Sequence, residues 1–496
     1  MGTQTRADMT DIQLRSEPTE SLVYYDLVKY HLIAGGFFLL ISMTAGFLYS
    51  LQFLGFYPMH GSEIASPGHL RFFHTNLAAY GFLVNGFTAM CYYVIPRLTG
   101  FRVANRKLGH LIFWVWQAIL ISALVGFLFN KAQAIEWGET PTGFRPGTFE
   151  LNWIPVDMLV AVGAILLVIQ FMTPLYHARG QRFYVTLWYF TAGLIWLPLT
   201  YLMGNIMPEW MLPGASGAAV TGLFIHDLVG LYVTPMGWGL MYFFVPLILQ
   251  KPIWSHSLSV IGFWALAFFY PLGGVHHFLL GPIPDYVEFG AISTTIAIEV
   301  VVTTVVANFL MTLHGCKGAL RNNMSIRWFY VGAMMYFLTC FQCAFQVTWM
   351  FQKVIHFTDW VVAHAHLIMF GTFTFWLFGV IDWVWPRVVR REWYSNKLRS
   401  YHFWLSTAGI SIMFLDLTMS GLVAGFMQRE LAPWSDMVLA SIPFWWIRTF
   451  AGGLMVSGLL CGLSNMWLTM RSGAPYVEED HFVAVEAAAA AGSGAN

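Results

Sequence analysis

Hydrophobic positions fall into long runs separated by short polar stretches, and the length of those runs sets the architecture. The segment HLIAGGFFLLISMTAGFLYSLQFLG contains no Asp, Glu, Lys or Arg over residues 31–55. A helix of about 20 apolar residues spans a hydrocarbon core of about 30 Å, so this run is long enough to cross a membrane. Twelve such runs are predicted, near residues 31–55, 71–96, 108–130, 154–175, 183–205, 219–250, 255–280, 287–315, 326–352, 357–385, 399–428 and 442–472. The expected fold class is an all-α membrane protein, a bundle of twelve transmembrane helices. Short connections argue for a single membrane domain over residues 29–472, preceded by a polar segment, 1–28. The tail 473–496 ends in the low-complexity string EAAAAAGSGAN and is expected to be disordered. The opening residues are polar and mixed in charge, unlike a cleavable signal, so the first helix is expected to be retained.

Composition removes the soluble classes. Hydrophobic residues make up 57% of the chain and charged ones 10%, with mean hydropathy +0.61, so lipid is the main solvent and nucleic acid is no expected partner. On the twelve-helix map the 25 Lys and Arg divide into 19 on the side of both termini, 4 on the opposite side and 2 within helices. That bias predicts cytoplasmic termini. The two arginines within helices, Arg71 and Arg448, sit at outward helix ends, where they either snorkel to headgroups or meet an anion. The five cysteines include no C-x-x-C-H, so no heme is attached covalently, and the pair Cys340 and Cys343 reads as small packing residues.

Six histidines change the picture from a bundle to a metalloprotein. His74, His226, His276, His277, His364 and His366 come from four helices and lie at similar depth toward the outer face. One intramembrane histidine is commonly a packing residue, but six at one level point to metal. In HAH the rings of His364 and His366 diverge by about 200° around the helix and cannot share one small ion. In HH the divergence is about 100°, so His276 and His277 can reach one ion together with His226. Three imidazoles suit copper, iron or zinc.

Taken in order, the segments LRFFHTN, FIHDLVGLYVT, LSVIGFWALAFFYPLGGVHH, HFTDWVVAHAHL and IRTFAGGLMVSGLL resemble subunit I of the heme-copper oxidases, and most of all the cbb3-type cytochrome c oxidases. The resemblance runs from about residue 25 to 472. It implies two b-type hemes and one copper ion. His74 and His366 would be the axial ligands of the low-spin heme, and His364 that of the high-spin heme. His226, His276 and His277 would hold copper, and Arg71 and Arg448 would contact propionates. Tyr270 matches a tyrosine that the family cross-links to a copper-ligating histidine, here His226. Tyr242, Ser255 and Ser259 are candidates for proton delivery from the cytoplasmic side, the two serines, four residues apart, sharing a helix face. The implied activity is reduction of O2 to water in a prokaryotic inner membrane, coupled to proton pumping, with electrons from a c-type cytochrome or other partner subunits. Glu136 and Glu150 are candidates for a calcium ligand near the propionates.

Three positions depart from that pattern. Gln342, in FQCAF, stands where the family leads one to expect a glutamate that contacts His364, and a neutral amide raises the potential of the high-spin heme. Glu299 and Asp416 are acids at membrane mid-depth. Glu299 lies near a position where the related nitric oxide reductases carry a glutamate beside non-heme iron, so NO reduction at a heme and non-heme iron is the alternative activity. Against it, the second acid of those enzymes is expected four residues after His226, and that place is Gly230. A non-enzymatic heme-binding membrane protein is the remote alternative. No role is assigned to Asp416.

Overall fold

The computed structural model describes residues 22–131, 139–316 and 318–477. Among the described residues, twelve helices are long and apolar enough to cross a membrane. They are α1 (Tyr25–Leu54), α2 (Pro67–Thr99), α3 (Arg106–Leu128), α4 (Val156–His177), α5 (Val185–Trp210), α6 (Ala215–Leu249), α7 (His256–Phe278), α8 (Asp285–Leu313), α9 (Met324–Gln346), α10 (Asp359–Val389), α11 (Asn396–Arg429) and α12 (Trp434–Ser472). The starts of several follow from capping. The side chains of Ser66, Asn105, Ser255, Asn323, Thr358 and Ser395 each accept from a backbone N–H in the first turn, and Pro67 occupies the first position of α2. The N-terminal segment before residue 22 and the tail after 477 lie outside the described residues.

Observed helix ends differ from the hydropathy estimates where polar turns extend beyond the apolar run. α12 begins at Trp434 rather than near 442, because its first turns stay helical up to Pro433. α9 stops at Gln346 rather than near 352, since the chain turns at Val347 and Thr348 and a separate short helix covers Trp349–Ile355. The chain is also not wholly helical. The connection between α3 and α4 forms an antiparallel hairpin of β1 (Glu139–Phe144) and β2 (Leu151–Pro155).

Three helices lie inside the others. The apolar windows of α2, α6 and α10 are each 89% buried, against 39–56% for the remaining nine. All three carry candidate histidines, and each loosens into a π-helical stretch just after them, at Leu77–Leu83, Leu228–Val233 and Leu367–Thr374. Such wider turns shift the register of one face against the next, and they recur at functional sites. The start of α1 lies beside that of α3, through Asp26 and Arg106, and the chain after α12 pairs with the end of α10 through Arg391 and Pro475. Both ends of the helical bundle's chain therefore reach the same side.

Candidate active site

The HAH spacing on α10 separates its two histidines as helix geometry requires. His366 faces α2, where its ring lies 5.7 Å from that of His74 at an interplanar angle of 21°. His364 lines a cavity of about 730 Å³ together with His226, Tyr270, His276 and His277, and His366 is not in that lining. One helix turn thus serves two centres.

In the first centre both rings are oriented by main chain. His74 Nδ1 lies 2.9 Å from the Ser42 carbonyl and His366 Nδ1 2.8 Å from the Val362 carbonyl, so an axial bond would be made by Nε2 in each. Gly46 on α1 permits the approach of His74, since a Cβ there would sit 2.5 Å from its Nδ1. Nearby, Arg448 is 8% exposed and buries Nε and Nη2 with no hydrogen-bond partner among the described residues. Its Nη1 lies 3.9 Å from Asp359 Oδ1, too far for a hydrogen bond. These donors fit an anionic group. Arg71 is exposed, with its guanidinium 5.4 Å from the Phe72 ring centroid.

In the second centre, one ligand atom each from His226, His276 and His277 lies within 4.8 Å of the others. His276 and His277 occupy a tight turn, Gly274–Phe278, that ends α7 and lets adjacent rings converge. Thr295 of α8 holds His276, with Oγ1 2.7 Å from Nδ1. His226 Nε2 lies 3.0 Å from the Tyr270 carbonyl, which leaves Nδ1 to ligate. Three neutral imidazoles at this spacing fit one copper or iron ion. Across the cavity, His364 Nδ1 meets Gln342 Oε1 at 3.1 Å, so the departure noted in the sequence does bear on this histidine. Cys343 Sγ and Gln346 Nε2 lie 3.5 and 3.3 Å from His364 Nε2.

Tyr270 stacks on His226, with ring centroids 4.0 Å apart and planes at 25°. Its place depends on Gly230, where any Cβ would overlap the Tyr270 ring. Glu299 begins a new helical stretch after α8 is interrupted at Ile298, and its Oε1 is buried without a partner among the described residues.

The proton-path candidates are arranged differently from expectation. Ser255 is not on a helix face with Ser259, because it caps α7 and its Oγ accepts from Leu258 N. Ser259 donates to the His256 carbonyl on its own helix at 2.7 Å. Asn308 of α8, which sequence reasoning missed, bonds both segments: its Nδ2 lies 3.5 Å from Tyr242 Oη and 2.8 Å from the Ser255 carbonyl. Glu150 is in an exposed ion pair with Arg145 at 2.9 Å, and Glu136 lies outside the described residues. Thr295 was also missed, and Gly230, noted in the sequence for lacking an acid, proves to be where the Tyr270 ring packs.

The sequence profile described as "Cytochrome C and Quinol oxidase polypeptide I" matches residues 26–454. The chain belongs to that family. It is an oxidoreductase family whose cofactors are heme and copper. The chain is similar to cytochrome c oxidase subunit 1 of Rhodobacter capsulatus, at 27% identity covering 92% of this chain and 87% of that one. It is 26% identical to the Cbb3-type cytochrome c oxidase subunit CcoN1 of Stutzerimonas stutzeri, covering 83% and 87%. A more distant likeness, 23% over 79% and 84%, extends to a nitric oxide reductase subunit of the same organism. In fold, a heme-copper terminal oxidase dimer solved by electron cryomicroscopy matches with TM-score 0.73 at 12% identity, covering 94% and 91%.

Proposed function

We propose that this chain is the catalytic subunit of a terminal oxidase that reduces O2 to water, drawing electrons from a c-type cytochrome through partner subunits and protons from the cytoplasmic side. The membrane domain is assigned to residues 29–472 with both termini in the cytoplasm. His74 and His366 would hold a low-spin b-type heme, His364 a high-spin b-type heme, and His226, His276 and His277 the copper. Arg448, and Arg71 at the outer end of α2, would meet propionates. Bound there, the hemes and copper supply the electrons and the metal site for O2.

The protein's own part is to hold geometry and move protons. Thr295 and Gln342 aim His276 and His364 across the cavity. Tyr270 brings a phenolic proton and an oxidisable ring next to His226, which four-electron cleavage of O2 uses. Tyr242 offers the hydroxyl that starts a path beneath it, held by Asn308, which also bonds the Ser255 backbone, and Ser259 follows one turn on along α7.

The observation that carries this reading is the packing of Tyr270 onto Gly230. A nitric oxide reductase acid at residue 230 and the tyrosine at 270 cannot occupy this space together. One observation favours the alternative. Glu299 buries a carboxylate oxygen that has no partner among the described residues on the α8 side of the site, as proton delivery to NO would require. The test is O2 and NO consumption by wild type, Tyr270→Phe and Glu299→Gln, each with hemes confirmed by optical spectra. The oxidase reading expects brisk O2 reduction that falls by orders of magnitude in Tyr270→Phe, and a covalently joined His226 and Tyr270 peptide pair in wild type. Absent O2 reduction with rapid NO reduction, damaged by Glu299→Gln, would replace it with the alternative.

A further inference from the structure

His31 of α1 stands outside both histidine centres, three helix turns along α1 from Ser42. It is 1% exposed, with its ring 5.0 Å from that of Phe113 and 5.8 Å from that of Tyr92. Its Nδ1 lies 2.8 Å from Oδ1 of Asn85, which is buried on α2. Asn85 Nδ2 donates to the Gly81 carbonyl at 2.7 Å, so Oδ1 is the accepting end of the amide and His31 donates to it from Nδ1. Gln117 of α3 donates to the same oxygen at 3.0 Å. A histidine in the first helix is therefore joined, through one asparagine, to the backbone of the second.

That backbone is the segment that follows His74. Gly81 belongs to the π-helical stretch Leu77–Leu83, which begins three residues after His74. A π-helical turn is wider than an α-helical one, so where it sits along a helix decides which way the residues on either side point. α1 and α2 are tied on both sides of this stretch. Before it, the Ser42 carbonyl and hydroxyl meet His74, and after it His31 meets Asn85, the two ties being eleven residues apart along both helices. Between the ties the helices approach closely, since a Cβ on Gly81 would sit 2.7 Å from Phe38 Cβ. Without the second tie, Asn85 is held by Gln117 alone and the wide turn is free to move along α2.

We propose that His31, acting through Asn85, is a positioning residue for His74: it pins the π-helical stretch of α2 and so sets the angle at which the His74 ring faces His366. The inference rests on the low-spin heme reading of that pair. Metal-binding histidines take their orientation from the groups that hold them, and here part of that constraint reaches His74 along its own helix.

The experiment is electron paramagnetic resonance of the ferric low-spin heme in the purified full-length protein, for wild type, His31→Leu, His31→Gln and Asn85→Ala. With two imidazole ligands, the gz value of such a heme depends on the angle between the rings, which is 21° for His74 and His366. His31→Leu and Asn85→Ala are expected to shift gz with heme content unchanged. His31→Gln, which keeps an N–H donor for Asn85, is expected to stay at the wild-type value. Asn85→Ala decides the matter where the leucine variant fails to assemble. An unchanged gz in His31→Leu or in Asn85→Ala, with hemes at full occupancy, overturns the proposal. So does an equal shift in His31→Gln and His31→Leu, or failure of both His31→Leu and Asn85→Ala to assemble, which marks a packing role. A wild type without any low-spin heme signal would instead remove the heme reading itself.

Discussion

The two histidine centres differ in what aims their rings. His74 and His366 are held by the backbone carbonyls of Ser42 and Val362; in the second centre His226 also meets a carbonyl, that of Tyr270, but His276 and His364 are held by the side chains of Thr295 and Gln342. A carbonyl in a helix is present whatever residue occupies the position, so the first pair is fixed by helix packing, including the close approach that Gly46 permits, rather than by the side chains of its partners. A side-chain partner can be exchanged for one of different charge, and such partners tune both ligand basicity and metal affinity. The contrast matches the proposed duties. Holding one planar group between two helices needs only a constant spacing, while the cavity centre must hold an ion, admit a substrate and deliver protons.

The largest expected effects come from the ligands themselves. His74→Ala or His366→Ala should abolish the low-spin heme signal in membrane optical spectra while the protein stays inserted. His276→Ala or His277→Ala should strip the non-heme metal while both hemes persist, as metal content per heme will read. A full low-spin signal after His74→Ala, or full metal occupancy in both variants of the second pair, would erase the division into two centres. Identifying that ion in wild type sharpens the division, since one copper per two hemes favours O2 and one non-heme iron favours NO.

Much of this division is legible in the amino-acid sequence. Long apolar runs with few charges mark all twelve helices, because a chain in hydrocarbon must satisfy its backbone internally and so forms continuous helices. The angular step of a helix sorts His364 from His366 and pairs His276 with His277. What stays hidden depends on which helices meet. Thr295 is an ordinary threonine until α8 packs beside the end of α7. Asn308 joins Tyr242 to Ser255 only because α8 also passes beneath both. Ser255 misleads because a serine four residues before another looks helical, while the start of α7 turns it into a cap. The backbone partners Ser42 and Val362 leave no trace at all, since a carbonyl belongs to every residue.

An intermediate effect tests side-chain aiming. Thr295→Val keeps the shape but removes the oxygen that meets His276 Nδ1. Losing such a partner weakens metal binding by about 10- to 100-fold in metal sites generally. The expected result is metal lost to a chelator at lower concentration than in wild type, with both hemes unchanged. Equal retention would mean that α7 alone orients the ring.

The smallest effect is the most demanding of the comparison. Ser42→Ala deletes a hydroxyl that donates to the His74 carbonyl at 2.6 Å and lies 3.4 Å from its Nδ1. The shorter contact to Nδ1, at 2.9 Å, comes from the Ser42 carbonyl, which alanine retains. Loss of one hydrogen bond costs about 0.5–1.5 kcal/mol of stability. The low-spin heme spectrum and its midpoint should nevertheless stay at wild-type values, because the group that aims the ring is untouched. A displaced spectrum in Ser42→Ala would show that the hydroxyl, and not the main chain, orients His74. The first centre would then be tuned by side chains just as the second is, and the distinction between them would rest on ligand number alone.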